Sequence, residues 1–212
     1  MHTSLRTVLA ASMVGAVALT GGAVAAPAKA CNVITDPKGD ASFLDTLPND
    51  RSLDIVSADV ATDAKTLTGV LRVDAFSAVS PTSPLGRGYY VMFNAPKSEF
   101  PIYLNLQITP DLTRYTWGTR ETLPSGSGRF VRQGAATGVI DAAKNELRIS
   151  VPLADVAAIS KLTPGTKLTA LTASTTSVIG TSVTGGLVAT VDDAASAKSY
   201  IAGAPSCVAI GK

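Results

Sequence analysis

The chain has 212 residues, of which 46% are hydrophobic, 16% charged and 5% aromatic. This length suits one packed domain, and the composition excludes an intrinsically disordered chain because so much apolar surface can be buried. The net charge of +2 is too small to attract nucleic acid or an anionic membrane over long range.

Residues 1–30 have the three parts of a secretory signal peptide. Arg6 gives a positive start, an apolar stretch runs from residue 8 to 19, and Ala28-Lys29-Ala30 matches a small-residue cleavage site. A retained membrane anchor is the alternative interpretation. The sequence therefore predicts a secreted protein with a leader at 1–30 and one domain at 31–212, without membrane contact once the leader is removed.

Removal of this leader changes both the charge and the available chemistry. Arg6 and Lys29 leave with it, so the 18 basic residues fall to 16 and balance the 16 acidic ones. His2, the single histidine, also leaves, which excludes Ser-His-Asp and Cys-His catalysis and histidine-ligated zinc. No phosphate-binding glycine motif or Gly-x-Ser-x-Gly motif occurs. We therefore expect that the protein is not an enzyme.

Two cysteines lie near the two ends of the expected mature chain, Cys31 and Cys207. An even number of cysteines in an exported protein favours a disulfide, and free thiols are the alternative. We predict a Cys31–Cys207 bond that joins the first and last segments of the domain. In the chain-entropy model a loop of this length stabilises the folded state by about 5 kcal/mol.

The Asp36-Pro37-Lys38-Gly39-Asp40 segment places two carboxylates around a tight turn. If the disulfide joins the chain ends, this turn lies near Asp192 and Asp193. Carboxylate and carbonyl oxygens are the ligands that calcium prefers, so we predict a calcium site of Asp36, Asp40 and Asp192 or Asp193. The alternative is that these aspartates cap turns, with Asp193 starting a short helix at 194–198.

Short β-branched runs separated by Gly, Pro, Asp and Asn fill the chain from residue 50 onward. The predicted strands are 53–60, 66–73, 89–94, 100–109, 113–117, 129–132, 137–140, 146–151, 167–173 and 187–191. A short helix is predicted at 153–159, after Pro152. Close spacing of strands without long helices predicts an all-β antiparallel sandwich, jelly-roll-like, with at most one or two short helices.

The segment 114–132 predicts a hairpin that is rich in arginine and aromatic residues. Arg114, Tyr115, Trp117, Arg120 and Arg132 lie on its two strands, around a Gly-rich tip. Aromatic rings stack on sugars and arginine donates hydrogen bonds, so these residues form a candidate ligand-binding face. Because Tyr115 and Trp117 are two residues apart, they share one face of the strand, which is either this binding surface or the core.

Several segments resemble a known family. They are Asp36-Pro37-Lys38-Gly39-Asp40-Ala41, Ser52-Leu53-Asp54-Ile55-Val56, the alternating run at 65–73 and the strand and turn at 146–155. Together they resemble exported bacterial β-sandwich domains related to family 9 carbohydrate-binding modules and the DOMON superfamily. The resemblance implies a jelly-roll-like sandwich, a structural calcium and a sugar- or cofactor-binding face. The sequence departs from sugar-binding members in having one tryptophan, Trp117, rather than a pair.

Three functions are compatible with these patterns. The first is a secreted, non-catalytic module that binds a glycan or cell-wall polysaccharide. The second is a calcium-stabilised structural or protein-interaction domain, whose partner is a cell-surface protein. The third is a hydrolase that uses two carboxylates, for which Asp54, Asp59 and Asp74 lie near predicted strands. We expect those three aspartates to face solvent or lie in turns instead.

Overall fold

The computed structural model describes residues 29–42, 50–79, 85–179 and 187–210 of the chain. These residues form two antiparallel sheets that pack face to face, as predicted for an all-β sandwich. The strands are β1 (Ile34–Thr35), β2 (Ile55–Thr62), β3 (Thr66–Val73), β4 (Arg87–Asn94), β5 (Ile102–Thr109), β6 (Leu112–Thr122), β7 (Gly128–Ala135), β8 (Thr137–Asp141), β9 (Glu146–Pro152), β10 (Lys167–Ile179), β11 (Leu187–Ala195) and β12 (Tyr200–Ile201). The expected leader lies outside the described residues, apart from Lys29 and Ala30.

The two sheets differ in size and share no strand. The smaller sheet has the order β1-β2-β3-β9-β8, and the larger has the order β11-β10-β4-β5-β6-β7, with β12 pairing the start of β10. β1 and β11 are therefore edge strands of different sheets, and they lie next to each other at one side of the sandwich. This side brings residues 34–35 and 187–195 together.

Local turn chemistry explains the hairpins. The Asp63 carboxylate accepts hydrogen bonds from the backbone N–H groups of Lys65 and Thr66, both at 2.7 Å, which forms the tight turn between β2 and β3. In the β6–β7 hairpin, Gly126 adopts a φ of +83° at the tip. The hairpin predicted at 114–132 is thus present, with longer strands than the sequence pattern indicated.

The core lies between the sheets and follows the alternation of the strands. Val91, Leu104 and Trp117 lie opposite one another across three neighbouring strands, and all three side chains point inward. Gly69 of β3 faces them, and a Cβ atom there would lie 2.8 Å from Leu104 Cδ1. The absence of a side chain at Gly69 lets the sheets approach closely at this point.

The predicted helix is confirmed, and one alternative is not. Helix α1 spans Leu153–Ser160, and a 3-10 turn follows β8 at Ala142–Lys144. The helix considered at 194–198 is wrong, because β11 continues through Ala195 in an extended conformation. Among the described residues, no helix is long and apolar enough to span a membrane.

The predicted disulfide is present between Cys31 and Cys207, whose Cα atoms are 5.1 Å apart. The backbone N–H of Cys207 donates to the Ala30 carbonyl, so the two segments that the disulfide joins also pair through their backbones. Beyond the disulfide, Val208 packs against Val70 on the outer face of the smaller sheet. The C-terminal segment is therefore held across this sheet and covers part of its outer surface.

Candidate functional site

The acidic turn predicted from the sequence lies at the side of the sandwich where β1 meets β11. Asp36 follows β1, and its backbone N–H donates to Val56 of β2. Gly39 has a φ of +89°, which favours glycine, and its N–H donates to Asp54 Oδ2 at 2.7 Å. These bonds fold the 36–40 turn back over the start of β2.

Asp192 reaches the same place from the larger sheet. It is buried within β11, and its Oδ2 accepts a 2.7 Å hydrogen bond from the backbone N–H of Ile55. The residues are far apart in sequence, and the antiparallel β10–β11 pair brings Asp192 to this side of the sandwich. Asp192 therefore links the larger sheet to the smaller one at the side where β1 meets β11.

Three carboxylates converge at this point. One oxygen atom from each of Asp36, Asp40 and Asp192 lies within 4.8 Å of the other two. Asp36 Oδ2 is buried and has no hydrogen-bond partner among the described residues. A buried, unpaired carboxylate oxygen is energetically costly unless a cation or a proton satisfies it.

The electrostatic environment raises the pKa values of Asp36 and Asp192. Burial is the largest cause for Asp36. Together with the charges of Asp192 and Asp40, a side-chain hydrogen bond with Asp192 and the charge of Asp54, it raises the pKa of Asp36 to about 7. The pKa of Asp192 is also raised, mainly by burial, although the hydrogen bond from Ile55 opposes this. Mutual repulsion of this kind is expected where several carboxylates share one site without a cation.

No side-chain cation of the described residues neutralises the cluster. Lys38 lies on the same turn, but its Nζ pairs with Asp74 at 2.8 Å. None of the ion pairs among the described residues includes Asp36, Asp40 or Asp192. The geometry and charge thus suit a divalent cation with oxygen ligands.

Asp193 does not join this cluster, although the sequence left Asp192 and Asp193 as equal candidates. It is the next residue of β11, and its exposed side chain lies on the outer face of the larger sheet. Alternation along a strand sends successive side chains to opposite faces. The structure therefore selects Asp192 as the metal-ligand candidate.

The aromatic face predicted around Trp117 is not on the surface. Trp117 is 4% exposed and belongs to the core, and Tyr115 is half-buried against the same core. The prediction that the two side chains share one face of the strand is confirmed, and that face points toward the core. Trp117 therefore offers no platform to a ligand, and the binding-face prediction is corrected for this residue, whereas Tyr115 keeps part of its side chain exposed.

The predicted arginines lie on the other face of the hairpin. Along β6, the positions of Arg114 and Arg120 differ from those of Tyr115 and Trp117 by odd numbers. Strand alternation therefore places the two arginine side chains on the outer face of the sheet. Arg132 pairs in register with Gly118 and is also exposed. The structure thus brings the three arginines to one outer surface and separates them from the two predicted aromatic rings.

Two of the three aspartates considered for hydrolysis, Asp54 and Asp59, are buried rather than solvent-facing, whereas Asp74 lies in the bend after β3 and is half-buried. Asp54 and Asp59 are 0% and 1% exposed, and the 33–39 segment bonds to both, since the backbone N–H of Val33 donates to Asp59 and that of Gly39 donates to Asp54. Asp59 pairs with Arg72 at 2.8 Å, and Asp74 pairs with Arg51 and Lys38. Asp59 and Asp74 are therefore bound in structural ion pairs.

An aromatic cluster that was not predicted from the sequence lies on the outer face of the larger sheet. Phe130 stacks on Tyr90 with ring centroids 4.8 Å apart, and it meets Tyr103 edge to face at 5.1 Å. The signal was present in the alternation of β4 and β5, since Tyr90 and Tyr103 each occupy the face opposite to the core residues beside them.

No protein-family model matches the chain, and no curated protein matches it either.

Proposed function

We propose that this protein is a secreted, non-catalytic β-sandwich domain that binds one calcium ion through Asp36, Asp40 and Asp192. The observation that supports this proposal most strongly is the convergence of three carboxylates within 4.8 Å, with the buried Asp36 Oδ2 unpaired. Calcium accepts six to eight oxygen ligands in irregular geometry, which suits a site built from a turn and a strand. Magnesium requires nearly octahedral geometry and retains more water.

The ion would connect the two sheets. Asp36 and Asp40 belong to the turn between β1 and β2, whereas Asp192 belongs to β11. A cation that neutralises all three carboxylates removes their repulsion and ties one edge of the sandwich together. We therefore assign the domain a structural or protein-interaction function, in which calcium stabilises the framework that presents its outer surfaces.

Secretion is part of the same proposal. The predicted leader supports it, and the Cys31–Cys207 bond is of a kind that persists in oxidising compartments. Calcium is abundant outside cells, so a site of moderate affinity would be filled there.

Isothermal titration calorimetry with calcium tests this function on the oxidised mature protein. We expect one site, with affinity reduced about tenfold or more in Asp36→Asn and Asp192→Asn, because each variant removes one ligand charge. Asp193→Asn is the matched control and should bind calcium as the unmodified protein does. Absence of calcium binding, or an equal loss in Asp193→Asn, would contradict the proposal.

A further inference from the structure

One edge of the larger sheet carries no further strand in the described part of the chain. The strand order of this sheet ends at β7, which pairs with β6. The ladder between them is regular over residues 128–132, and a β-bulge at Gln133 interrupts it after Arg132. The outer edge of such a strand has backbone N–H and C=O groups that can pair with another extended chain.

The hydrogen bonds of β6 show which residues of β7 turn their backbone groups outward. The backbone N–H of Arg120 donates to the Pro101 carbonyl, on the β5 side of β6. The pair that Arg120 forms with Phe130 is therefore one in which the two backbones are not bonded to each other. The N–H and C=O groups of Phe130 point away from β6, and by alternation those of Gly128 and Arg132 do the same.

Positive charge is concentrated on this hairpin. Residues 112–135 contain four arginines and one acidic residue, Glu121, whereas the expected mature chain has equal numbers of basic and acidic residues. Glu121 pairs with Arg129. Within the described residues, Arg120 and Arg132 form no ion pair. The hairpin therefore keeps positive charge that the protein itself does not neutralise.

The two unpaired arginines lie along the free edge of β7. Arg132 is on the outer face of β7 itself, in register with Gly118. Arg120 belongs to β6, but its guanidinium reaches across β7, since a Cβ atom at Gly128 would lie 2.6 Å from its Nε and 2.7 Å from its Nη2. The absence of a side chain at Gly128 leaves room for this crossing. The two cations thus lie on either side of Phe130 along the strand.

Packing against the sheet holds this edge in place. The Phe130 ring stacks on Tyr90 with centroids 4.8 Å apart and meets Tyr103 edge to face at 5.1 Å. These contacts use the ring within the fold, so the edge offers a partner its backbone groups and its arginines. Because β7 is already ordered, an added strand would bind at a lower entropic cost.

We propose that residues 128–132 bind an extended acidic segment of a partner protein, which adds a strand to the larger sheet. The outward backbone groups supply the hydrogen bonds, and the arginines select the charge of the segment. Side chains of an added strand alternate between its two faces, so carboxylates at every second position lie beside Arg120 and Arg132. A second copy of this chain is a poor partner, because pairing two β7 edges would bring like charges together.

This inference rests on the protein-interaction function proposed above and specifies the chemistry of the partner. The β7 edge lies at one end of the strand order of the larger sheet, and β11, which holds Asp192, lies at the other. Calcium binding and peptide binding are therefore measured as separate properties of one preparation.

Fluorescence polarisation with labelled synthetic peptides tests the proposal on the oxidised mature protein in calcium. The probe is a peptide of alternating glutamate and valine. Its matched control has proline in place of each valine, which keeps the charge but prevents strand hydrogen bonding. We expect the glutamate–valine peptide to bind, and the proline peptide to bind more weakly by about tenfold or more. Added salt should weaken the binding because it screens the charges.

Two substitutions of one residue separate charge from backbone pairing. Arg132→Ala removes the charge and should weaken binding about tenfold. Arg132→Pro also removes an N–H that β6 does not use, and should weaken binding by about a further fivefold, the equivalent of one hydrogen bond. Lys198→Ala is the matched control and should bind normally, since Lys198 is an exposed cation that follows β11, the opposite edge strand. Circular dichroism verifies that each variant is folded.

Amide hydrogen exchange detects strand addition independently of affinity. Bound peptide should slow exchange at Phe130 and Arg132 and leave the amides of β11 unchanged. The proposal is overturned if neither peptide binds at millimolar concentration, if both bind equally, or if exchange at Phe130 and Arg132 is unaffected. Tighter binding of a single-stranded oligonucleotide than of the glutamate–valine peptide would also overturn it. A protein that binds calcium but no peptide would refute this inference alone, whereas absence of calcium binding would refute the proposed function.

Discussion

Asp36 is the residue whose chemistry depends most on its surroundings. Burial and the neighbouring carboxylates raise its pKa to about 7, from an ordinary value of 3.8. The folded, calcium-free protein therefore holds a proton on this carboxyl group at a pH where the unfolded chain has already released it. A bound cation would displace that proton, so calcium binding and protonation of Asp36 compete.

This competition predicts how stability varies with pH. A group whose pKa is raised by folding stabilises the folded state fully below pH 3.8, and this contribution is lost as pH rises through about 7. Without calcium, we expect the Asp36 contribution to the free energy of unfolding to decrease across this range. Urea denaturation at a series of pH values in chelator measures it, with Asp36→Asn as the reference. Identical pH profiles for both proteins would contradict the assigned environment.

The sequence identifies site residues in turns more readily than site residues in strands. The Asp36–Asp40 turn was recognisable because Pro, Gly and Asp have strong local preferences. The choice between Asp192 and Asp193 depends on which face of β11 points toward β1, and sequence spacing does not contain that information. The same holds for Trp117, because alternation predicts a shared face with Tyr115 but not which face is the core.

At the scale of elements, the β6–β7 hairpin depends on one glycine. Gly118 lies on the outer face, where a Cβ atom would lie 2.0 Å from the Val131 carbonyl oxygen and 2.8 Å from the Tyr103 hydroxyl. The carbonyl belongs to the neighbouring strand and cannot move without disturbing the ladder. A side chain at this position is therefore incompatible with the observed pairing of β6 with β7.

We expect Gly118→Ala to lower the free energy of unfolding by about 1–3 kcal/mol, as overpacking usually does. Urea denaturation measures this change. Gly128→Ala is a matched control in the same hairpin, since its Cβ would meet only the flexible end of the Arg120 side chain. Equal stability of Gly118→Ala and the unmodified protein would show that the strands can separate at little cost.

Most strands could be predicted from the sequence because they alternate over five or more residues. The prediction at 66–73 matches β3 at both ends, and the hairpin and α1 are placed within a few residues. β1 and β12 have two residues each, too few for a period, and exist because longer strands offer them partners. The predicted lengths of β6 and β10 were too short for a similar reason, because both strands pair with their neighbours beyond the end of the apolar pattern.

At the scale of the whole molecule, the disulfide and the acidic site connect the same regions. Cys31 and Cys207 are separated by 176 positions, and their bond joins the segment before β1 to the segment after β12. Asp36 lies five residues beyond Cys31, and Asp192 lies in the edge strand of the larger sheet. Loss of the disulfide therefore releases the segment that leads into the acidic turn.

We expect the double variant Cys31→Ser/Cys207→Ser to be less stable by about 2–5 kcal/mol, because a long loop is no longer closed in the unfolded chain. Guanidinium denaturation in excess calcium measures this difference. The reduced, unmodified protein is the control and should resemble the variant. A loss below about 1 kcal/mol would indicate that the backbone pairing of Ala30 with Cys207 holds the ends without the covalent bond.

A crystal structure of the protein, with crystals grown in calcium, would show whether Asp36, Asp40 and Asp192 hold one calcium ion as proposed. Anomalous scattering identifies calcium independently of the protein coordinates. We predict one anomalous peak at about 2.3–2.6 Å from oxygen atoms of all three carboxylates, while Asp193 remains outside the coordination sphere. A structure in which these carboxylates bind no ion, and in which Asp36 and Asp192 instead share a proton, would show that this is not a calcium site.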